Sequence, residues 1–541
     1  MRHPLFAVPT LAAFALGLCA ALLPVRATAA AAAPAAPRVA IVVGANAPAL
    51  EQLAATELAA QLQKLFGAQT SIQTALPADD SAAILIGSPQ TSAAVDAALG
   101  KQWPKLSPQG HLVKSVPFQG RTVLVLGGGS PVASLWAVHE LGYRCGIRHL
   151  LHGDFLPLEK PVFTVEGFDV VLEPRVERRA WSAFNGQPFG AESWSVAEHT
   201  RLLTQLAKLK FTHVVLPATL APIAALRVDG DTPGRKVFGG ARQFENADRG
   251  EDFLPRIKAA AAAVGIAVQV GEMRGPTEIT PGPANASVLP QFDLEMIEAQ
   301  LQAVRIKPGA GFVARVIIPG DLNASAHFLS RASFSDHGRD ASVVLGGVLF
   351  PGRPIFFAYP TAAQSLRELV APICGKEVDE RLLKGFAAAA KAAALITAND
   401  PAIAVPDARM ALRHLEAKAA PPAWLAAAKD LYTQAMNEMY RANTRARDGA
   451  RPYILYHAKR FEFALHYLTS IELVWKAGFA GAEGKKEART QALEQSVEAM
   501  YNALNALSDV ARDASDRGTI AILNEHAYRP LLQALAATAK P

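Results

Sequence analysis

The stretch from Val176 to Pro217 constrains this 541-residue chain most, because it reads as strand, polar-aromatic loop, helix and strand in that order. Arg179–Phe184 alternates in polarity and carries Trp181 and Phe184, which predicts a strand. Ser195, with Glu198 three residues on, has the spacing of a capping box, in which the two side chains satisfy orphan helix amides. Leu202, Leu203, Leu206 and Leu209 then recur at helical spacing, and Phe211–Leu216 is a short apolar run. A strand–helix–strand unit of this length begins a parallel sheet or a (β/α) barrel. In a barrel, the loop Asn185–Trp194 lies at the carboxyl end of a strand, on the face that carries the chemistry.

The length and the 50% hydrophobic content suit roughly two to four domains with cores of their own. Residues 1–29 hold Arg2, the apolar run Leu11–Leu23 and the small-residue pattern Ala27-Thr28-Ala29. That predicts a secretory signal peptide, since the apolar part is too short for a membrane span. Cys19 follows Leu18, not the small residue a lipoprotein signal uses. The mature chain is therefore expected in the periplasm or outside the cell, with no membrane span. The formal net charge is +6, two of it from Arg2 and Arg26 in the signal, and no dense basic run with interleaved aromatics occurs. Nucleic acid is a poor partner for such a chain. Only Cys145 and Cys374 follow the signal, in separate predicted domains, and their pairing is left open. Neither has CxxC or His-rich surroundings, and the chain has no HExxH or GxSxG, so no metal or cofactor is expected.

Residues 30–37 are an Ala/Pro linker. Strands are predicted at Arg38–Gly44 and Ala82–Gly87, a helix at Leu50–Phe66, and a hairpin of His111–Val116 with Arg121–Leu126 around Gln119-Gly120. Ser130 caps a further helix through Trp136 to Leu141, completing an α/β domain with a mixed sheet over 38–172. Gly127-Gly128-Gly129 stands where a phosphate loop would, but Val132 and Ala133 replace the third glycine and no Walker lysine follows. Tight turning and close helix packing account for it.

The run Ser134–Arg148, SLWAVHELGYRCGIR, followed by Gly153-Asp154-Phe155-Leu156-Pro157, resembles the end of the accessory domain that precedes the catalytic barrel in bacterial alpha-glucuronidases and beta-hexosaminidases. The strand AAILIGS and the helix ELAAQLQKLFG fit the same pattern, and Glu173–Trp181 is similar to the approach to the first barrel strand. The resemblance implies a glycoside-hydrolase-like protein in which Arg179 holds sugar hydroxyls. Past Pro217, Phe253–Val264 is an Ala-rich helix, Gly265–Glu272 a third strand, 273–290 a Pro/Gly-rich loop, Phe292–Arg305 a helix and Gly311–Pro319 a fourth strand. A whole barrel takes about 250 residues, so the expected (β/α) domain, 173–360, is a reduced TIM-like one. Asp379-Glu380 and Glu251-Asp252 have no strand before them, so the family's catalytic acids have no counterpart here. The Val- and Phe-rich segment 342–358 could cover the open edge, or serve as a homo-oligomer contact. Helices are predicted over 379–397, 407–418, 422–445, 453–477 and 486–513, and this helical C-terminal domain, 361–541, looks like that of large bacterial glycoside-hydrolase-like proteins.

Glu272 and Asp321 each follow a predicted barrel strand and form the candidate catalytic pair, one as acid and one as base. Asp321 could instead cap the next helix, and Glu272 could pair with Arg274 or Arg179. Trp181, Asn185, Glu192 and Trp194 supply the aromatic faces and hydroxyl-binding groups of a saccharide pocket, although Trp181 could equally be core. His327, six residues beyond Asp321, is a further candidate, while His213 in an apolar strand suits the core. Tyr453, His457 and Phe461 share a helix stripe with Tyr456 and Arg460 adjacent, forming either a cleft wall or a helix contact. The chain is thus read as an exported carbohydrate-active protein acting on oligo- or polysaccharide. The competing reading is a non-catalytic glycan-binding or assembly protein of the same descent.

Overall fold

The computed structural model describes residues 36–336 and 359–538, apart from 220, 221, 247–249, 251, 285, 308, 316, 317 and 408. The expected signal peptide and the segment 342–358 lie outside the described residues.

The first part of the chain is β1 (Arg38–Val42), α1 (Ala49–Phe66), β2 (Gln69–Gln73), β3 (Ala82–Ile86), α2 (Ala93–Leu99), β4 (His111–Phe118), β5 (Arg121–Gly128) and α3 (Pro131–Arg144). β1, β2, β3 and β5 are parallel, and β4 is antiparallel to β5. β2, QTSIQ, is a polar edge strand, so it has no apolar run by which sequence could announce it. α1 and α3 cover one face of the sheet with Leu58, Leu62, Trp136 and Val138, and α2 covers the other with Val95 and Leu99. Gln119 and Gly120 both have positive φ, the geometry of a tight hairpin turn. A Cβ on Gly128 would lie 2.4 Å from the Ala133 backbone, so these glycines serve close packing of α3 on the sheet, as expected.

A short hairpin, β6 (Arg148–Leu150) with β7 (Gly153–Phe155), leads to β8 (Asp169–Pro174), which joins the first sheet beside β4. The second sheet then begins. Its elements are β9 (Arg178–Ser182), α4 (Val196–Lys208), β10 (His213–Leu216), the small hairpin β11 (Leu226–Arg227) and β12 (Gln243–Phe244), α5 (Phe253–Ala263), β13 (Ala267–Val270), β14 (Thr277–Ile279), α6 (Leu294–Arg305), β15 (Gly311–Arg315) and α7 (Asn323–Arg331). β16 (Phe334–Asp336) returns to pair with β8 at the edge of the first sheet. The second sheet has the order β13-β10-β9-β15-β14, and every pair is parallel. The four predicted strands do lie side by side. The fifth, β14, is three residues inside the Pro/Gly-rich loop, too short to carry a periodicity. This sheet is open: its edges β13 and β14 are not paired to each other, so the described residues form no closed barrel.

The remainder is helical: α8 (Ala362–Cys374), α9 (Val378–Asn399), α10 (Ala423–Arg445), α11 (Arg451–Ala482), α12 (Lys486–Ser508), α13 (Ala514–Leu523) and α14 (Arg529–Thr538). One apolar core runs continuously from the second sheet through these helices. Two helix predictions need correction. The expected helix over 407–418 is a set of turns ending in one short 3-10 helix, Arg413–Glu416, because Asp407 ties its own carboxylate to the amides of Arg409 and Met410 and Arg413 reaches back to Asp400. The expected helix over 486–513 stops at Ser508, and α13 starts afresh with Asp513 as its N-cap, accepting from the Asp516 amide. Cys145 and Cys374 are free thiols.

α3 docks on the second sheet through Glu140, which is fully buried against Arg144 (3.0 Å), Lys210 (2.5 Å) and Arg331 (2.7 Å). Burial alone would raise its pKa, but Arg331, Lys210 and Arg144 outweigh that and hold the carboxyl well below the usual glutamate range.

Candidate functional site

The loop after β9 is tied by its own side chains. Glu192 accepts from the Gly186 amide at 2.6 Å, and Asn185 accepts from the Gln187 amide at 3.1 Å. Beneath the loop His199 lies between Phe184, stacked at 5.8 Å, and Trp194 at 5.2 Å. α13 closes on the same loop at Gly518, where a Cβ would stand 2.0 Å from the Pro188 carbonyl oxygen. Gly518→Ala is therefore expected to cost about 1–3 kcal/mol, the usual penalty for overfilling a packed contact. Denaturant titration with an unchanged m-value checks it. A loss below about 0.5 kcal/mol would show that the loop yields.

Between this loop, α4 and the start of α13 opens a cavity of about 400 Å³. It sits at the carboxyl ends of β9 and β15, bordered by Trp194 on one side and Pro319 on another, with His152, Glu198, Arg201, Arg512 and Asp513 supplying its polar wall. The capping box is formed as expected: Ser195 and Glu198 close the N-terminus of α4 reciprocally. Glu198 also accepts from the Ala514 amide at 2.9 Å and from Arg517 at 2.8 Å, which ties α4 to α13. Trp194 donates its indole N–H to Ser515 at 2.8 Å. Asp513 bonds His152 Nε2 at 2.8 Å. Behind it, Asp516 accepts from the Tyr456 hydroxyl at 2.8 Å and from the Arg512 amide at 2.9 Å.

The two aspartates titrate apart. Burial pushes Asp513 up, but the hydrogen bond and charge of His152 outweigh it and hold this carboxyl below the ordinary value. Burial and then the charge of Asp513 push Asp516 up to about 6. Two carboxylates and two guanidiniums line the cavity, but they are not paired with one another. Glu198 is matched by Arg517, and Asp513 is engaged by His152. Arg201 has no ion pair or hydrogen bond among the described residues. The Arg512 side chain donates only to the Pro452 carbonyl, and its guanidinium lies 4.3 Å over the Tyr456 ring. The wall carries as many carboxylates as guanidiniums, but the carboxylates are engaged, which leaves the two arginines to meet an anionic group beside the buried Trp194.

Of the residues singled out from sequence, Trp194 borders this cavity and Tyr456 supports it from behind. The proposed pair Glu272 and Asp321 is not brought together. β10 and β9 stand between β13 and β15, three interstrand steps or roughly 14 Å along the sheet. Glu272 is exposed, whereas Asp321 is sealed in a bidentate pair with Arg460 at 2.9–3.0 Å. Burial raises the Asp321 carboxyl and Arg460 opposes the rise. Arg460, fully buried, is engaged by this pair and by the Val288 carbonyl. Arg179 lies at the opposite, amino end of β9, fully buried, holding the Lys210 and Val176 carbonyls and Gln109 at the contact with the first sheet. Trp181 is core, edge-on to Phe211 at 5.2 Å. Asn185 and Glu192 shape their loop. His327 is buried, bonded to Ser365 at 2.7 Å and stacked on Tyr143; burial keeps it neutral.

Sequence reasoning missed His152, Arg201, Arg512, Asp513 and Asp516. Asp513-Ala-Ser-Asp516 reads as an ordinary cap, and His152 stands alone in a turn. Only the packing of α13 on the β9 loop gathers them. Among the described residues no group of three or more potential metal ligands occurs, and no helix is long and apolar enough to cross a membrane.

Residues 24–141 match the model of the glycosyl hydrolase family 67 N-terminus. The protein is glycoside-hydrolase-like, with an alpha-glucuronidase-type N-terminal domain. Its fold is similar to that of BtGH115A, a family GH115 4-O-methyl-alpha-glucuronidase with specificity for decorated arabinogalactans, at a TM-score of 0.52 and 10% identity over 91% of this chain and 79% of that one. A GH138 enzyme targeting pectin rhamnogalacturonan II overlays more loosely, with a TM-score of 0.40 and 8% identity over 92% and 78% of the two chains. No curated protein sequence matches the chain. In this glycoside-hydrolase-like molecule the α1–α3 face of the first sheet falls within the family 67 match, while the cavity lies wholly beyond it.

Proposed function

We propose that this is an exported carbohydrate-active protein that binds an acidic sugar of a glycan chain in the cavity between α4 and α13. The observation that carries the reading is the pair of arginines, Arg201 and Arg512, left without carboxylate partners beside Trp194 at the carboxyl ends of parallel strands. A guanidinium binds a sugar carboxylate through paired N–H donors, while an aromatic edge covers the apolar face of the ring. BtGH115A, whose fold this chain shares, is a glucuronidase by name, which agrees with a uronate ligand. The strand order also supports descent from a barrel. β9, the first strand, pairs with β15, the last of the second sheet, as closing strands do. Binding without hydrolysis accounts for the site better than a strand-end carboxylate pair, since Glu272 and Asp321 do not share a cleft.

Calorimetry with glucuronic-acid-bearing oligosaccharides, set against neutral ones of equal length, tests this. Arg201→Gln combined with Arg512→Gln should weaken binding of the acidic ligands at least tenfold, about 1.4 kcal/mol. Raising the salt should weaken it further. Equal affinity of the parent and the double variant for acidic ligands would remove the assignment. Fractionation of expressing cells checks export, for which residues 1–29 are the expected signal.

A further inference from the structure

We propose that the cavity also cleaves 4-linked uronate chains by β-elimination, with His152 as the base; the proposal rests on the acidic-sugar reading above. Hydrolysis by retention or inversion needs two free carboxyl groups about 5–10 Å apart across the scissile bond. The carboxylates that border this cavity are not free. Both oxygens of Glu198 are occupied, Oε2 by the Ser195 cap and Oε1 by the Ala514 amide and Arg517. Asp513 accepts from the Asp516 amide with Oδ1 and engages His152 with Oδ2. What the wall leaves open is one nitrogen of His152 and two guanidinium groups.

The geometry assigns the proton. An ionised aspartate only accepts, so Asp513 requires an N–H on Nε2 of His152, and in the neutral ring that acts as the base the lone pair then stands on Nδ1. Nδ1 makes no hydrogen bond to the described residues, and the ring lines the cavity. A uronate held by Arg201 or Arg512 has its carboxylate charge neutralised, which acidifies the hydrogen on C5 and stabilises the enolate that forms when it leaves. The C5–H bond breaks and its proton passes to Nδ1. The electron pair becomes the C4–C5 double bond as the C4–O bond breaks; the departing oxygen takes the proton from the His152 imidazolium where C5–H and C4–O share a face, as in a glucuronate, and from a water that the imidazolium reprotonates where they lie on opposite faces, as in a galacturonate. One fragment ends in an unsaturated uronate and the other in a new reducing end, with no water consumed and no change of oxidation state that needs a partner. One base and one cation suffice, and the cavity supplies both.

The charged groups facing His152 are Asp513 and Asp516 of α13, Arg512 just before it, and Glu198 and Arg201 of α4. The test incubates the full chain with a 4-linked oligogalacturonate and a 4-linked oligoglucuronate, reading ultraviolet absorbance of the conjugated uronate and product masses. Unsaturated fragments are expected, one water lighter than hydrolysis products. His152→Gln should lower the rate of their formation at least about a hundredfold, within the range set by removal of a general base, and should leave oligosaccharide affinity in place. Asp513→Asn keeps a capping oxygen for α13 but lets its amide donate to the ring, so it should lower kcat with little change in KM. Saturated products, or tight binding without cleavage, would overturn the elimination and leave the acidic-sugar reading standing. No binding of either oligouronate by the parent chain would overturn both.

Discussion

Arg460→Met is expected to cost about 3–5 kcal/mol of unfolding free energy, because it strands Asp321 as an uncompensated buried charge. The guanidinium is fully buried on α11, donates to both oxygens of Asp321 and holds the Val288 carbonyl besides. These bonds join the end of β15, the loop before α6 and the helical region at one point. The loss should be much smaller when both charges go together, as in Asp321→Leu with Arg460→Met, since a well-packed apolar pair removes the desolvation cost of each ion. Denaturant titration of the parent, the two single variants and the double variant gives the coupling directly. Single-variant losses under about 1 kcal/mol would show that water reaches the pair.

Glu140→Gln should produce a loss of similar size, about 3–5 kcal/mol, by leaving Lys210 and Arg331 buried side by side without their counter-charge. Here pH adds a second readout. The folded-state pKa of Glu140 lies well below the ordinary 4.5, so its contribution is fully present above about pH 4.5 and is lost as the pH falls through the folded value. The parent should therefore lose stability steeply on the acid side. Glu140→Gln, already without that contribution, should show a flatter acid limb with the neutral-pH values lowered. Parallel acid limbs in the two proteins would mean that the carboxyl titrates normally and that the three cations do not act on it.

Much of the architecture was legible because it is written in local pattern. The Ser195–Glu198 cap, the leucines of α4, the Gln119-Gly120 turn and the apolar cores of β1, β3 and β5 each follow from spacing and side-chain chemistry within a few residues. Elements without such a pattern escaped: β2 is polar, β14 is three residues long, and the restart at α13 depends on Asp513 preferring a cap to a helix interior. The candidate site fared worse for a different reason. Arg179, Asp321 and Arg460 have the residue types of a sugar site, but types do not say which partner arrives. Partners up to 172 residues away in sequence turn them into structural ties.

The sequence by itself determined most element types, the α/β-then-helical order and four parallel strands of the second sheet, because backbone propensity and apolar periodicity act over a turn or a strand pair. Only the tertiary structure decided which polar groups face a common space. α13 closes on the β9 loop through a glycine small enough to touch Pro188, and that contact sets His152, Arg201, Arg512 and Trp194 around one cavity. Burial and pairing then separate the charges that lock the fold from those left to meet a ligand, and both are properties of positions in space that no local pattern carries.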